Sequence, residues 1–350
     1  MKKVFALILA LTMISALFAG CGQEKSEPAA GADAGKTYKI IYLTPSTASP
    51  FWSQVEVGMK QAKLDCEAKL GIRIDYTIMG PAEEQQTEEY IESFENAIAK
   101  QPDAILTATL SIDPTVPKAM EATSQGIILN FVNCGLGAGD DGAHEETYNQ
   151  FYYCSNDTIG EMAGQAFLEA MQKKGMSLDS GVIGINMNVE NEALNHRIDA
   201  FRAYMAENAP GLTLTDTYYN GNDSAKAQAN AENVISAQGA DLIGMYSGNN
   251  ITADGVCNAV RDAGLKYKFV SVGVDSDETE ITALKDGFLD AIIVQNAFEQ
   301  GYKCMENAVL TLMEGKNPEA DKQVNCLPVV VTGDNIDTEE IQFMMDPKLK

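Results

Sequence analysis

The sequence predicts an α/β fold of two Rossmann-like lobes, each a parallel sheet flanked by helices. Three observations predict it. Short apolar runs alternate with amphipathic helical runs along most of the chain. Those apolar runs recur about every 30 residues, the length of a right-handed βαβ unit. They are also near-continuous, as expected of strands covered by helices on both faces. The runs are too many for one comfortable sheet, and roughly 310 residues of folded chain suffice for two ordinary domains.

In chain order, "YKIIYLT" (38–44) leads into a helix over 53–70, "IRIDYTI" (72–78) into one over 83–100, and "AILTATL" (104–110) into one around 116–124. "IILNFVN" (127–133) ends in a glycine-rich loop. A second series opens with "FYYC" and a helix from Asp157, followed by "GVIGINM" (181–187) and a helix over about 193–208. Next come "LTLTDTYY" (212–219), a helix over 225–238, "LIGMYS" (242–247) and a helix over 251–264. "FVSVGVD" (269–275), a short helix, "FLDAIIVQ" (288–295), a last helix over 297–315 and "LPVVVT" (327–332) complete the body.

Lys2 and Lys3 precede an apolar run over residues 4–19, the charged start and short hydrophobic stretch of an export signal. The run is shorter than the roughly 20 residues of a membrane span. It ends in Leu17-Phe18-Ala19-Gly20-Cys21, which resembles the lipobox of bacterial lipoproteins, with Phe18 where leucine is usual. Residues 1–20 then read as the signal peptide and Cys21 as the lipidated new N-terminus; an ordinary signal with an incidental cysteine is the alternative. The Gly-, Ala-, Glu- and Pro-rich stretch that follows, to residue 36, has no apolar periodicity and reads as a flexible tether.

A formal charge of −25 repels phosphate backbones and argues against nucleic-acid binding. The seven cysteines form no CxxC, and the two histidines, His144 and His196, lie far apart, so zinc-type spacing is absent. Most cysteines fall at apolar positions and read as small buried hydrophobes, although a Cys134–Cys154 disulfide is open to an exported protein. Residues 137–142 spell GxGxxG after a strand, but two aspartates inside it repel pyrophosphate. Asn220-x-Asn222-x-Ser224 lacks the glycine and the closing glutamate of a calcium loop. No nucleophile with its base, no metal site and no cofactor motif emerges, so no enzyme activity is expected.

Ligands of open parallel sheets bind beyond the carboxyl ends of the strands. At those ends stand Ser49-Pro50-Phe51-Trp52, Thr109, Asn133-Cys134, Asn188, Asn220-Gly221-Asn222-Asp223, Ser247-Gly248-Asn249-Asn250, Asp275 and Gln295-Asn296. Planar amides donate and accept together, which suits hydroxyl-rich ligands, and an aromatic face takes the C–H surface of a sugar. Each residue also has a structural reading. Ser49 before Pro50 suits a helix N-cap, and Ser53 with Glu56 offers a competing capping box. Asn220, Gly221 and Asn222 suit a turn, Asp275 could cap a helix, Gln295 could serve a loop carbonyl, and Phe51 with Trp52 could be a hydrophobic staple.

In this light "SPFW", "NFVN", "CSNDTIGEMAG", "NHRIDAF", "SGNNITADG", "VSVGVDS" and "IIVQNAFEQG" occur in the order found in the sugar-binding lipoproteins and periplasmic binding proteins of bacterial ABC importers. The chain resembles that family, in its ribose- and galactose-binding type, over residues 37–332. The resemblance implies two lobes joined by a three-strand hinge, a periplasmic binding protein-like fold of the first type. It implies ligand contacts from Ser49, Phe51, Trp52 and Asn133 in the first lobe and from Arg197, Asn222, Asn249 and Asp275 in the second. Gln295 falls near the hinge. Arg197 would grip two hydroxyls, its charge balanced by Asp275. Asn133-Cys134 stands where ribose-type binders usually carry Asp-Arg, which opens other pentoses, hexoses and polyols.

The family topology further implies lobes of 37–153 plus 297–326 and 154–296 plus 327–350. It also implies delivery of a monosaccharide to a permease, a membrane anchor on Cys21 at the cell surface or in the periplasm, and a monomer without cofactor. The same fold presenting a ligand to a sensor kinase or chemoreceptor, or binding a nucleoside or autoinducer-like ligand, is the alternative.

Overall fold

The computed structural model describes residues 35–109, 111–137, 143–190 and 192–350. The signal, the lipobox with Cys21 and most of the GxGxxG segment lie outside the described residues. The first half contributes strands β1 (Thr37–Leu43), β2 (Arg73–Met79), β3 (Ala104–Thr107), β4 (Ile128–Val132) and β5 (Gln150–Tyr153). The second contributes β6 (Val182–Met187), β7 (Thr213–Tyr219), β8 (Leu242–Ser247), β9 (Val270–Val274) and β10 (Ala291–Val294). Two late strands, β11 (Gln323–Asn325) and β12 (Val329–Thr332), divide between the halves. One sheet runs β11-β5-β4-β3-β1-β2, the other β12-β10-β9-β8-β6-β7. Pairing is parallel throughout except for β10 with β12. The order reverses between β1 and β3 and between β6 and β8, so each sheet opens a crevice at its carboxyl ends there.

Ten helices among the described residues cover the sheets: α1 (Pro50–Leu70), α2 (Thr87–Ala99), α3 (Ile112–Ser124), α4 (Asn156–Lys173), α5 (Glu192–Asn208), α6 (Ser224–Gln238), α7 (Asn250–Asp262), α8 (Glu278–Asp286), α9 (Ala297–Glu314) and α10 (Glu339–Met345). None of them is long and apolar enough to cross a membrane. Each lobe has its own apolar interior. Tyr38, Ile40, Tyr42, Met59 and Leu106 belong to the first, and Phe167, Ile183, Ile185, Phe201 and Tyr246 to the second. Two glycines set the spacing. A Cβ on Gly58 of α1 would collide with the Phe298 carbonyl of α9, and one on Gly160 of α4 with the Arg197 carbonyl of α5.

The chain passes between the sheets three times, at Cys154–Ser155, at Gln295–Asn296 and at Cys326–Pro328. The first and third crossings are laced together, since Cys326 N donates to Tyr153 O (2.7 Å) and Ser155 N to Asn325 Oδ1 (3.1 Å).

Several sequence expectations shift. The helix expected over 83–100 begins only at Thr87, because Gln86 Oε1 accepts from Glu83 N (2.8 Å) and holds residues 83–86 in a turn that competes with helix. The helix expected around 116–124 begins at Ile112. Pro114 lies in its first turn, where an N–H has no helical partner, while Pro117 forfeits one bond. The helix over 297–314 is not the last: α10 follows, burying Ile341, Met344 and Met345. β11, three residues of mixed polarity, has no apolar signature to find. Cys134 and Cys154 form no disulfide, as the six described cysteines are all thiols.

Candidate functional site

A cavity of about 770 Å³ opens between the carboxyl ends of the two sheets. Ser49, Phe51, Trp52, Asn133, Arg197, Asn222, Asn249, Asp275 and Gln295 all line it. Three of them have left-handed backbone: Asn133 (φ 61°), Asn222 (φ 65°) and Asp275 (φ 84°). Such conformations cost energy for residues with a side chain, and their clustering at strand ends marks a place where side-chain direction matters.

On the first lobe, Ser49 occupies the N-cap of α1, yet its hydroxyl makes no capping bond. The competing box at Ser53 does not form; Ser53 Oγ donates to Ser49 O (3.1 Å) inside the helix. Phe51 and Trp52 therefore stand in the first turn of α1 rather than at a loop tip, their rings edge-to-face at 5.0 Å. Phe51 is half-buried, whereas Trp52 is only 3% exposed and belongs to the core. The Trp52 indole donates to Glu84 Oε1 (2.8 Å), so the ring is both a packing element and part of the cavity wall.

On the second lobe, Arg197 is buried on α5. Its Nε donates to Asn156 Oδ1 (2.7 Å) and its Nη1 to Gly248 O (3.0 Å). This corrects the expected pairing with Asp275. Among the described residues no carboxylate lies within ion-pair distance of Arg197, and Asp275 is engaged elsewhere. Asp275 Oδ1 accepts from Gln295 Nε2 (2.8 Å) and Oδ2 from Asn250 N (3.3 Å). Gln295 Oε1 accepts in turn from Asn133 Nδ2 (2.9 Å). Gln295 thus links the two lobes instead of serving a loop carbonyl, and the helix after Asp275 is capped by Asp277, not by Asp275.

The structural readings hold in part. Asn249 caps α7 by accepting from Thr252 N (3.2 Å), and Asn220 is spent on Thr252 Oγ1 (2.7 Å). Asn222 Oδ1 accepts from Asn188 Nδ2 (3.3 Å) at the cavity wall.

Sequence reasoning passed over Glu84, Asp277 and Asn156, which also line the cavity. Glu84 was hidden in an acidic stretch that reads as a solvated helix start, and Asp277 is the N-cap of α8. Burial, above all, lifts the Glu84 carboxyl above its usual range; its bond from Trp52 opposes this and the charge of Asp275 adds to it. Burial, then the charges of Asp275 and Asp254, push Asp277 up to about 6. Among the described residues no cluster of His, Cys, Asp and Glu is arranged to hold a metal ion.

Two α/β lobes with three connections and a polar, aromatic-edged cavity between their strand ends define a cleft-type binding protein. The chain belongs to the periplasmic binding protein family, whose domain matches residues 40–317. That family is one of binding proteins for transport, not of enzymes. Among known relatives, the D-allose-binding periplasmic protein of Escherichia coli is 25% identical over 295 residues, covering 83% of this chain and 88% of its own. The xylose/arabinose-binding protein of Sulfolobus acidocaldarius is 23% identical over 277 residues, 76% of this chain and 64% of the relative's length. An ABC transporter solute-binding protein from Agrobacterium vitis, solved with D-fucose bound, superposes with a TM-score of 0.73 at 28% identity, covering 87% of this chain and 98% of that one.

Proposed function

We propose that this protein is an extracytoplasmic solute-binding lipoprotein that captures a monosaccharide between its lobes and delivers it to the permease of an ABC importer. The observation that carries the reading is the meeting of nine polar and aromatic residues, from both lobes, on one cavity at the carboxyl ends of both sheets. Relatives named for allose, xylose or arabinose, and a neighbour holding fucose, support a pyranose- or furanose-sized ligand.

The first lobe comprises residues 37–153 and 297–326, the second 154–296 and 327–350. The lobes swing about the three crossings, and contacts made only in the closed arrangement favour closure. Phe51 offers a face for the C–H side of the sugar, while Arg197, Asn222 and Asp275 meet hydroxyls from the second lobe. The Asn133–Gln295–Asp275 chain of hydrogen bonds runs through the hinge and orients both walls. Cys21 carries the lipid anchor, the tether to residue 36 lets a monomer reach the permease, and the closed form is what the permease reads.

Trp52 is the only tryptophan, so its emission reports on the cavity. Screening aldoses, ketoses and polyols should find one that shifts this emission saturably. The same ligand should raise stability by about 2.7 kcal/mol at a hundred times its dissociation constant. Silence of both signals across the panel would remove the carbohydrate assignment.

A further inference from the structure

We propose that the ligand of this cleft is an amino sugar or amino polyol, held through its positively charged nitrogen. The inference rests on the cleft being the ligand site, as proposed above, and adds the charge of the occupant. Among the described residues Arg197 is the only basic one lining the cavity, whereas Glu83, Glu84, Asp275 and Asp277 all line it. Glu83 is exposed and counts for little, but the other three are partly buried. Arg197 forms no ion pair with any of them, its Nε and Nη1 going to an amide and a backbone carbonyl, and its one positive charge is outnumbered by the three carboxylates. The field of Asp275 reaches both Glu84 and Asp277, so the carboxylates from the two lobes face a common space with excess negative charge.

The hydrogen-bond inventory points the same way. Four side-chain donors around the cavity are spent on protein acceptors: the Trp52 indole on Glu84, Asn133 on Gln295, Gln295 on Asp275, and Asn250 on Asp277; Arg197 keeps guanidinium N–H groups beyond the two it spends on Asn156 and Gly248. Asn188, 5% exposed at the cavity wall, spends its Nδ2 on Asn222 and carries an Oδ1 buried without a partner. Carboxylates outnumber the single guanidinium in what the cleft offers an occupant. A hydroxyl brings one donor and two acceptor lone pairs; an ammonium brings three donors, no acceptor and a charge. The Phe51 and Trp52 rings edge the same space, and an aromatic face favours a cation further.

The test uses the mature chain with Cys21→Ser, titrated near neutral pH with matched pairs: D-glucose and D-glucosamine, D-galactose and D-galactosamine, D-mannose and D-mannosamine. Isothermal titration and Trp52 emission read affinity, and circular dichroism checks the fold. The amino member of at least one pair should bind about tenfold or more tighter than its neutral partner. N-acetylation, which removes the charge, should abolish that advantage, and Glu84→Gln and Asp277→Asn should each shrink it. A neutral member that binds as tightly as its amine, or more so, overturns the inference and leaves the sugar-binding reading standing. If no member of any pair binds, the inference falls, and the sugar-binding reading stands or falls on the wider panel of aldoses, ketoses and polyols.

Discussion

The Trp52 indole donates to Glu84 Oε1 at 2.8 Å, tying the first turn of α1 to the loop before α2 at the wall of the cavity. The bond joins two segments 32 residues apart and converts a core tryptophan into one wall of a site. It also explains how a carboxylate lifted by burial is held in place, since an indole N–H is a donor only.

Replacing either partner should therefore separate packing from polarity. Trp52→Ala should cost about 3–5 kcal/mol through the cavity it leaves. Trp52→Phe keeps most of the apolar volume but strands the Glu84 carboxylate, at about 1–3 kcal/mol. Urea denaturation of the two variants measures both; a Trp52→Phe variant as stable as the wild type would show that the Glu84 bond contributes nothing.

Asp277 should give stability a specific pH dependence. Its carboxyl moves from the usual 3.8 to about 6 in the fold, mainly by burial. Between those values the folded chain holds a proton that the unfolded chain has released, so this residue favours folding at low pH and the contribution is lost as pH rises through about 6. Asp277→Asn should flatten that part of the profile. Melting temperatures of the wild type and the variant across the window compare them directly, and parallel profiles would exclude Asp277 as the source.

Gln295 should matter more for binding than its modest exposure suggests. Gln295→Leu leaves Asp275 Oδ1 and Asn133 Nδ2 without their shared bridge, a loss of about 1–3 kcal/mol where such groups stay buried. Ligand affinity by calorimetry should fall along with stability, because both lobes lose a fixed wall residue. An unchanged affinity would show the bridge to be structural only.

Gly160 should be a remote determinant of binding. A Cβ there meets the Arg197 carbonyl, so Gly160→Ala must push α5 away and displace the guanidinium. Overpacking of this kind costs about 1–3 kcal/mol. Gly58→Ala, which meets Phe298 between α1 and α9, serves as the comparison. Both should lower the melting temperature, but only Gly160→Ala should weaken ligand binding through Arg197.

Thiol reactivity should single out the cavity. Burial pushes the Cys66 and Cys326 thiols up to about 12, and Cys304 and Cys257 are fully enclosed. Cys134 is half-buried and lines the cavity. In the native chain a thiol reagent should label Cys134 first, and bound ligand should slow it. Labelling rates by mass spectrometry that ignore ligand would place Cys134 away from the occupant.

The alternation of apolar and amphipathic runs determined the fold class by itself, because burying strands on both faces imposes continuous hydrophobicity that no loop imitates. Strand ends such as Asn133, Asn222 and Asp275 were legible too, since parallel sheets bring their carboxyl ends together whatever the loops do. Contacts between distant segments were not legible. Nothing local distinguishes Glu84 from its acidic neighbours, and its role comes from the indole 32 residues away. Arg197 was expected to meet Asp275, yet packing across Gly160 places it against Asn156 and Gly248. Periodicity records which face of an element is buried. Which partner a buried polar group finds depends on how elements pack against one another, and only the tertiary structure decides that.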